Sequence, residues 1–193
     1  LLYEKDTNNI TNTYFYICYM KKILIILLTL ICSVGYSQNL GEIQRHLLNL
    51  VNEERSSRGL STFMTDPLIN KSSKIQADYL SLITNISEVK HTNPKLKYRN
   101  ATDRIRVGSD LKYDVSSENI TAFFYDSSKS DLEIAKEIHN NFMNSKYHRM
   151  NLLNEVSDGT ITFPSYYGHY VTYNKKLNYI MAVQMFPILK YDY

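Results

Sequence analysis

The stretch at residues 177–186 limits the possible folds more than any other part of the chain. Read as a strand, it puts Ile180, Ala182, Gln184 and Phe186 on one face and Tyr179, Met181, Val183 and Met185 on the other. Successive side chains of a strand point to opposite sides of its sheet. Both faces here are largely apolar, so both must be covered, and the strand belongs inside a sheet with a layer on each side. Asn174, Lys175 and Lys176 read as a hairpin connection to a β-prone run at 167–173, and a further such run lies at 159–163.

Helical signals fill the other half of the chain. Ile43, Leu47, Leu50 and Val51 recur at helical spacing over residues 40–57, with Glu42, Gln44, Arg45, Glu53 and Glu54 opposite them. Arg58 and Gly59 end that helix. Asp66 is a good N-cap and Pro67 suits a first helical position. A second helix is therefore expected to residue 82, with Leu68, Ser72, Ile75, Tyr79 and Leu82 on one face. Ser130 and Glu133 form a capping box for a third helix, which carries Ala135, Ile138 and Phe142 and ends near Ser145. Residues 84–117 have few regular signals and read as a long loop. Residues 120–125 could extend briefly or cover a helix end. Helices followed by antiparallel strands predict an α+β fold. The doubly apolar strand makes it a three-layer α-β-α sandwich with a central, mainly antiparallel sheet.

The N-terminus reads as an export signal, leading either out of the cell or to the periplasm. Lys21 and Lys22 follow Met20, residues 23–32 are apolar apart from Thr29, and residues 34–37 offer a small-residue cleavage site before Gln38. That apolar run is about half the roughly 20 residues a membrane span needs. The expected organisation is upstream translation over 1–19, a signal peptide over 20–37, and one mature domain over 38–193 with no stable membrane span. An uncleaved anchor is one alternative. A lipidated Cys32 is another, although Ile31 stands where a small residue is needed. Cys18 and Cys32 both precede Gln38, so a mature chain beginning there has no disulfide and no thiolate ligand or nucleophile. Net charge is only +3, without a basic run, which argues against nucleic acid as a partner. The cluster of Lys95, Lys97, Arg99, Arg104 and Arg106 reads as a solvated loop, or else as a surface for anionic lipid or cell-wall polymer.

Several short motifs stand in a telling order. LLNLVNEERSSRGL begins at Leu47, and Asp66, Pro67 and Leu68 precede Ala77, Asp78 and Tyr79. His91, Arg104 and Gly108 follow, then Ser117, Glu118, Asn119 and Ile120. The run from Phe142 to Leu153 includes His148, Arg149 and Asn151, and Ala182 to Phe186 closes the series. These pieces resemble the CAP superfamily, meaning the cysteine-rich secretory, antigen 5 and pathogenesis-related proteins with their bacterial SCP-like relatives. The resemblance covers roughly residues 47–186. It implies a cleft with two histidines and two carboxylates, and places His91, Glu118 and His148 there. The second carboxylate has no counterpart: Met143, Asn144 and Ser145 hold its place, with Glu137 two turns earlier. Ser117 and Phe142 stand where the motifs carry Gly and Trp.

Two imidazoles and a carboxylate can hold zinc or another divalent cation, with water completing the set. Without metal, the trio can form a charge-assisted network in which Glu118 stabilises an imidazolium and anchors the long loop. No HExxH spacing, GxSxG serine or phosphate loop supports an enzyme independently. Metal-assisted hydrolysis would take His91 and His148 as ligands and Glu118 as base, leaving fewer than the three protein ligands usual at catalytic zinc. The expected function is therefore a secreted, non-catalytic CAP domain whose cleft binds a divalent metal, a lipid-like molecule or a peptide. The alternatives are a metal-dependent, protease-like hydrolase using the same cleft, and a structural or interaction module with a vestigial cleft. Arg149 and Asn151 are expected to pin the turn, and Arg104 to serve as an ion-pair partner. His46, His139 and His169 have no motif support and read as surface or helix-face residues.

Overall fold

The computed structural model describes residues 20–21, 39–110, 112–154 and 166–189. The upstream segment, nearly all of the signal-peptide reading, both cysteines and the expected strand at 159–163 lie outside the described residues. Residues Gln38–Tyr193 form one unit and Leu1–Ser37 another.

The first helix, α1, is Leu40–Ser57. Asn39 caps it by accepting the N–H groups of Gly41 at 3.1 Å and Glu42 at 3.3 Å. Its apolar stripe is buried at Ile43, Leu47 and Val51. Gly59, at φ +72°, makes the left-handed exit that costs a side chain most. A short strand β1, Met64–Thr65, leads into α2, Pro67–Leu80, where Asp66 accepts the Leu68 N–H at 2.7 Å.

The buried face of α2 is not the expected one. Ile69, Ser72, Ser73, Gln76, Ala77 and Leu80 face inward, and Leu82 lies beyond the helix, 78% exposed. Polar residues make up half of that face, so apolar spacing misplaced it. Ser72 and Ser73 return their hydroxyls to the Leu68 and Ile69 carbonyls, so burying them leaves no donor unpaired. Small side chains also let α2 approach the sheet closely. A Cβ on Gly168 would lie 2.4 Å from Ile69 Cγ2 and 2.5 Å from the Ile69 carbonyl carbon, so only glycine fits there.

Residues 84–110 carry more structure than the long-loop reading allowed. Two 3₁₀ turns, Ile86–Glu88 and Leu96–Tyr98, precede helix α3, Ala101–Gly108. An Asn100/Asp103 capping box starts α3, and that pair was its overlooked signal. Strand β2, Tyr113–Phe124, is 12 residues long and pairs with the last strand along most of its length. The brief extension expected at 120–125 is only its final part, because polar residues earlier in β2 hid the alternation. Helix α4, Asp131–Asn144, begins at the expected Ser130/Glu133 capping box. A separate helix α5, Lys146–Leu153, follows at once. Only Leu152 and Leu153 of α5 are buried, so it has little periodicity to read. Its left-handed cap is Asn154, at φ 56°.

Strands β3, Tyr166–Asn174, and β4, Tyr179–Leu189, form a hairpin. Asn174 accepts the Leu177 N–H in the turn at 3.0 Å, and Asn178 takes φ 57°. The sheet order is β1-β3-β4-β2, antiparallel except for the short parallel β1–β3 pair. Ile180, Ala182 and Phe186 of β4 pack with Ile43, Leu47 and Val51 of α1 and Ile134, Ile138 and Phe142 of α4. On the opposite face Met181 and Val183 meet Ala77 and Leu80 of α2, while Met185 meets Ile69 of α2 and Ile105 of α3. This is the three-layer α+β sandwich, with β4 covered on both sides. Among the described residues no helix is long and apolar enough to cross a membrane.

Candidate functional site

Among the described residues β2 is an edge strand, and its consecutive residues Glu118 and Asn119 reach opposite layers. Glu118 pairs in register with Met185, on the α2/α3 side of the sheet. One carboxylate oxygen, Oε1, lies 3.0 Å from His91 Nδ1. The other forms a salt bridge with Arg104 of α3. The Glu118 side chain is 2% exposed and that of Arg104 is fully buried, whereas His91 keeps 58% of its side chain exposed. Arg104 also donates to the carbonyls of Tyr98 at 2.9 Å, Arg99 at 3.4 Å and His91 at 3.1 Å. The guanidinium therefore ties the segment holding His91 down onto the strand edge.

Asn119 organises the other side. Its Nδ2 donates to the His148 carbonyl at 3.0 Å and to Gln184 Oε1 at 3.1 Å, and its Oδ1 accepts from Asn151 Nδ2 at 2.7 Å. Gln184 Nε2 in turn donates to the Tyr167 hydroxyl at 2.8 Å. These bonds fix the start of α5, and with it His148, against the sheet. Arg149 holds the α4–α5 junction by donating to the Met143 carbonyl at 2.9 Å. The His148 ring meets Phe142 edge-on at 5.4 Å. Burial lowers the His148 imidazole pKa below its usual value, and the nearby positive charge of His91 lowers it further. His91 and His148 are thus held from opposite layers, on either side of β2.

A carboxylate can only accept, so the His91–Glu118 contact puts a proton on Nδ1 and leaves Nε2 as the ring's lone-pair nitrogen in the neutral form. This is the orientation a carboxylate imposes on a metal-ligating histidine from behind. Both Glu118 oxygens are engaged, one by His91 and one by Arg104, which makes the carboxylate a holder of these two side chains. Among the described residues no group of three or more His, Cys, Asp or Glu is arranged to hold a metal. Glu137 pairs with Lys129 at 2.6 Å and does not supply the missing carboxylate.

His46 and His139 lie on helix faces as expected, His139 on a buried one at 8% exposed, whereas His169 is a buried strand residue at 6% exposed. His169 lies on β3 beneath α1, its Nε2 2.9 Å from the Gln44 carbonyl and its ring stacked on Tyr167 at 5.0 Å. Burial lowers its pKa to about 4, against the raising effect of the Gln44 carbonyl. Aromatic neighbours and a strand position were the overlooked signals. The Asn119–Gln184 pair also went unread, although Gln184 is a polar interruption in an apolar strand.

No family model matches the chain, and no curated protein matches its sequence. Solved structures do match. An outer surface protein from Borrelia burgdorferi superposes with a TM-score of 0.61 at 20% identity, over 81% of this chain and all of that one. An extracellular protein containing an SCP domain, from Bacillus anthracis, matches with a TM-score of 0.50 at 22% identity, over 78% of this chain and 41% of the other. At these identities the likeness is one of fold. The chain has a bacterial CAP-type, SCP-like fold.

Proposed function

We propose that the chain is an exported, non-catalytic CAP-type binding domain whose cleft, at the edge of β2, presents His91 and His148 to a ligand. The observation that carries this reading is the double engagement of Glu118 by Arg104 and His91. It turns the carboxylate into a support for His91 and counts against Glu118 as a free hydrolytic base. Export is supported by the signal-like residues 20–37, with 38–193 as the mature portion. The extracellular and outer-surface descriptions of the two similar structures agree with it.

A divalent cation such as zinc is the ligand that best fits two imidazoles. His91 offers Nε2, and the lowered pKa of His148 keeps it in the neutral, ligating form at neutral pH. Water or groups from a second ligand would complete the coordination. A lipid-like molecule, a peptide or cell-wall polymer could supply those groups. Isothermal titration of zinc into the wild type, His91→Ala and His148→Ala tests this. We expect one site per chain, weakened at least about tenfold in each variant, as loss of a ligand or its support does. Equal affinities in all three proteins remove the site.

A further inference from the structure

We propose that a second groove, beneath residues 88–99, binds a small zwitterion: an ammonium and a carboxylate on one short apolar body, as in a dipeptide. The groove has a volume of about 500 Å³ and is lined by Tyr79 of α2 together with Glu88, Lys90, Pro94, Leu96 and Arg99. That volume lies in the range of small-molecule sites, roughly 300–1,000 Å³. None of His91, Glu118 and His148 lines it, so it is separate from the cleft proposed above.

Three observations point to this ligand class. First, charges of both signs line one groove without neutralising each other. Among the described residues, Glu88, Lys90 and Arg99 form no ion pair, and Glu88 accepts only the Thr84 N–H, at 3.3 Å. Second, buried polar groups hold the walls in place. Gln76 Nε2 donates to the Lys90 carbonyl at 2.7 Å, Asn93 Nδ2 donates to Gln76 Oε1 at 3.3 Å, and Arg104 holds the Tyr98 and Arg99 carbonyls. Gln76, Asn93 and Arg104 are all at most 5% exposed, so the loop backbone is fixed before a ligand arrives. Third, apolar surface is left open beside the charges: Leu96 is 80% exposed. A carboxylate suits Lys90 and Arg99, an ammonium suits Glu88 beside Tyr79, and a short side chain suits Leu96 and Pro94.

The test titrates the full chain with glycyl-leucine, its N-acetyl form and its C-terminal amide, followed by amide NMR shifts of residues 88–99. The free dipeptide is expected to bind, and each blocked form to bind at least about tenfold more weakly through loss of a charge-assisted contact. Glu88→Gln should erase the penalty for acetylation, and Lys90→Gln/Arg99→Gln the penalty for amidation. The proposal is overturned if the dipeptide leaves these resonances unmoved at millimolar concentration. Equal binding of all three forms, or penalties that persist unchanged in both variants, overturns it as well.

Discussion

Arg104→Met is expected to cost about 3–5 kcal/mol of folding stability, the usual result of removing one member of a buried ion pair. The variant leaves Glu118 buried without its cation and frees the carbonyls of His91, Tyr98 and Arg99. Urea unfolding should show a much lower midpoint with the slope unchanged. Adding Glu118→Met to the same chain should recover the share due to the stranded charge, because an apolar pair of similar volume is often neutral. It should not recover the share due to the three carbonyls. A loss below about 1 kcal/mol in the single variant, the value of an exposed pair, contradicts the buried linkage.

Acid should destabilise the fold through His169 by roughly 3 kcal/mol between neutral pH and pH 4, as linkage requires for a folded pKa of about 4 against 6.5 in the unfolded chain. Between those values the unfolded chain binds a proton that the folded chain refuses. Stability therefore rises with pH across the window and falls as pH drops from about 6.5 towards 4. The structural cause is burial beneath α1. A second ring proton would sit on Nδ1, which has no acceptor among the described residues. His139 and His148 are also lowered, chiefly by burial, and act in the same direction. Denaturant midpoints measured across this range should flatten in His169→Gln, whose amide can still donate to the Gln44 carbonyl. Parallel curves for the wild type and the variant would show that His169 is not the titrating group.

The sequence made the layers legible because β4 is apolar on both faces, and no two-layer arrangement covers such a strand. The caps of α2 and α4 were legible because Asp66 and Ser130 act locally, whereas the Asn39 cap of α1 shows only in the structure. The inward face of α2 was hidden because Ser72, Ser73 and Gln76 are buried polar residues whose hydrogen bonds appear only in three dimensions. α3 and α5 are short and carry few apolar residues, so a capping pair and a polar motif were their only marks. The motif resemblance singled out His91, Glu118 and His148 without stating their geometry. That His91 and His148 belong to different layers follows from the alternation of Glu118 and Asn119 on an edge strand. Strand order is a tertiary property, and no local spacing encodes it. The commitment of Glu118 to Arg104 changes its chemical role, and that too depends on where α3 packs.

The proposed function requires two imidazoles to share one cleft at the edge of β2. Ring-proton NMR of His148 during a pH titration, in the wild type and in His91→Ala, tests this most directly. We predict a wild-type midpoint below the usual histidine value and an upward move once the His91 charge is gone. A midpoint that is the same in both proteins would mean the two rings do not sense each other, and the shared cleft would have to be abandoned.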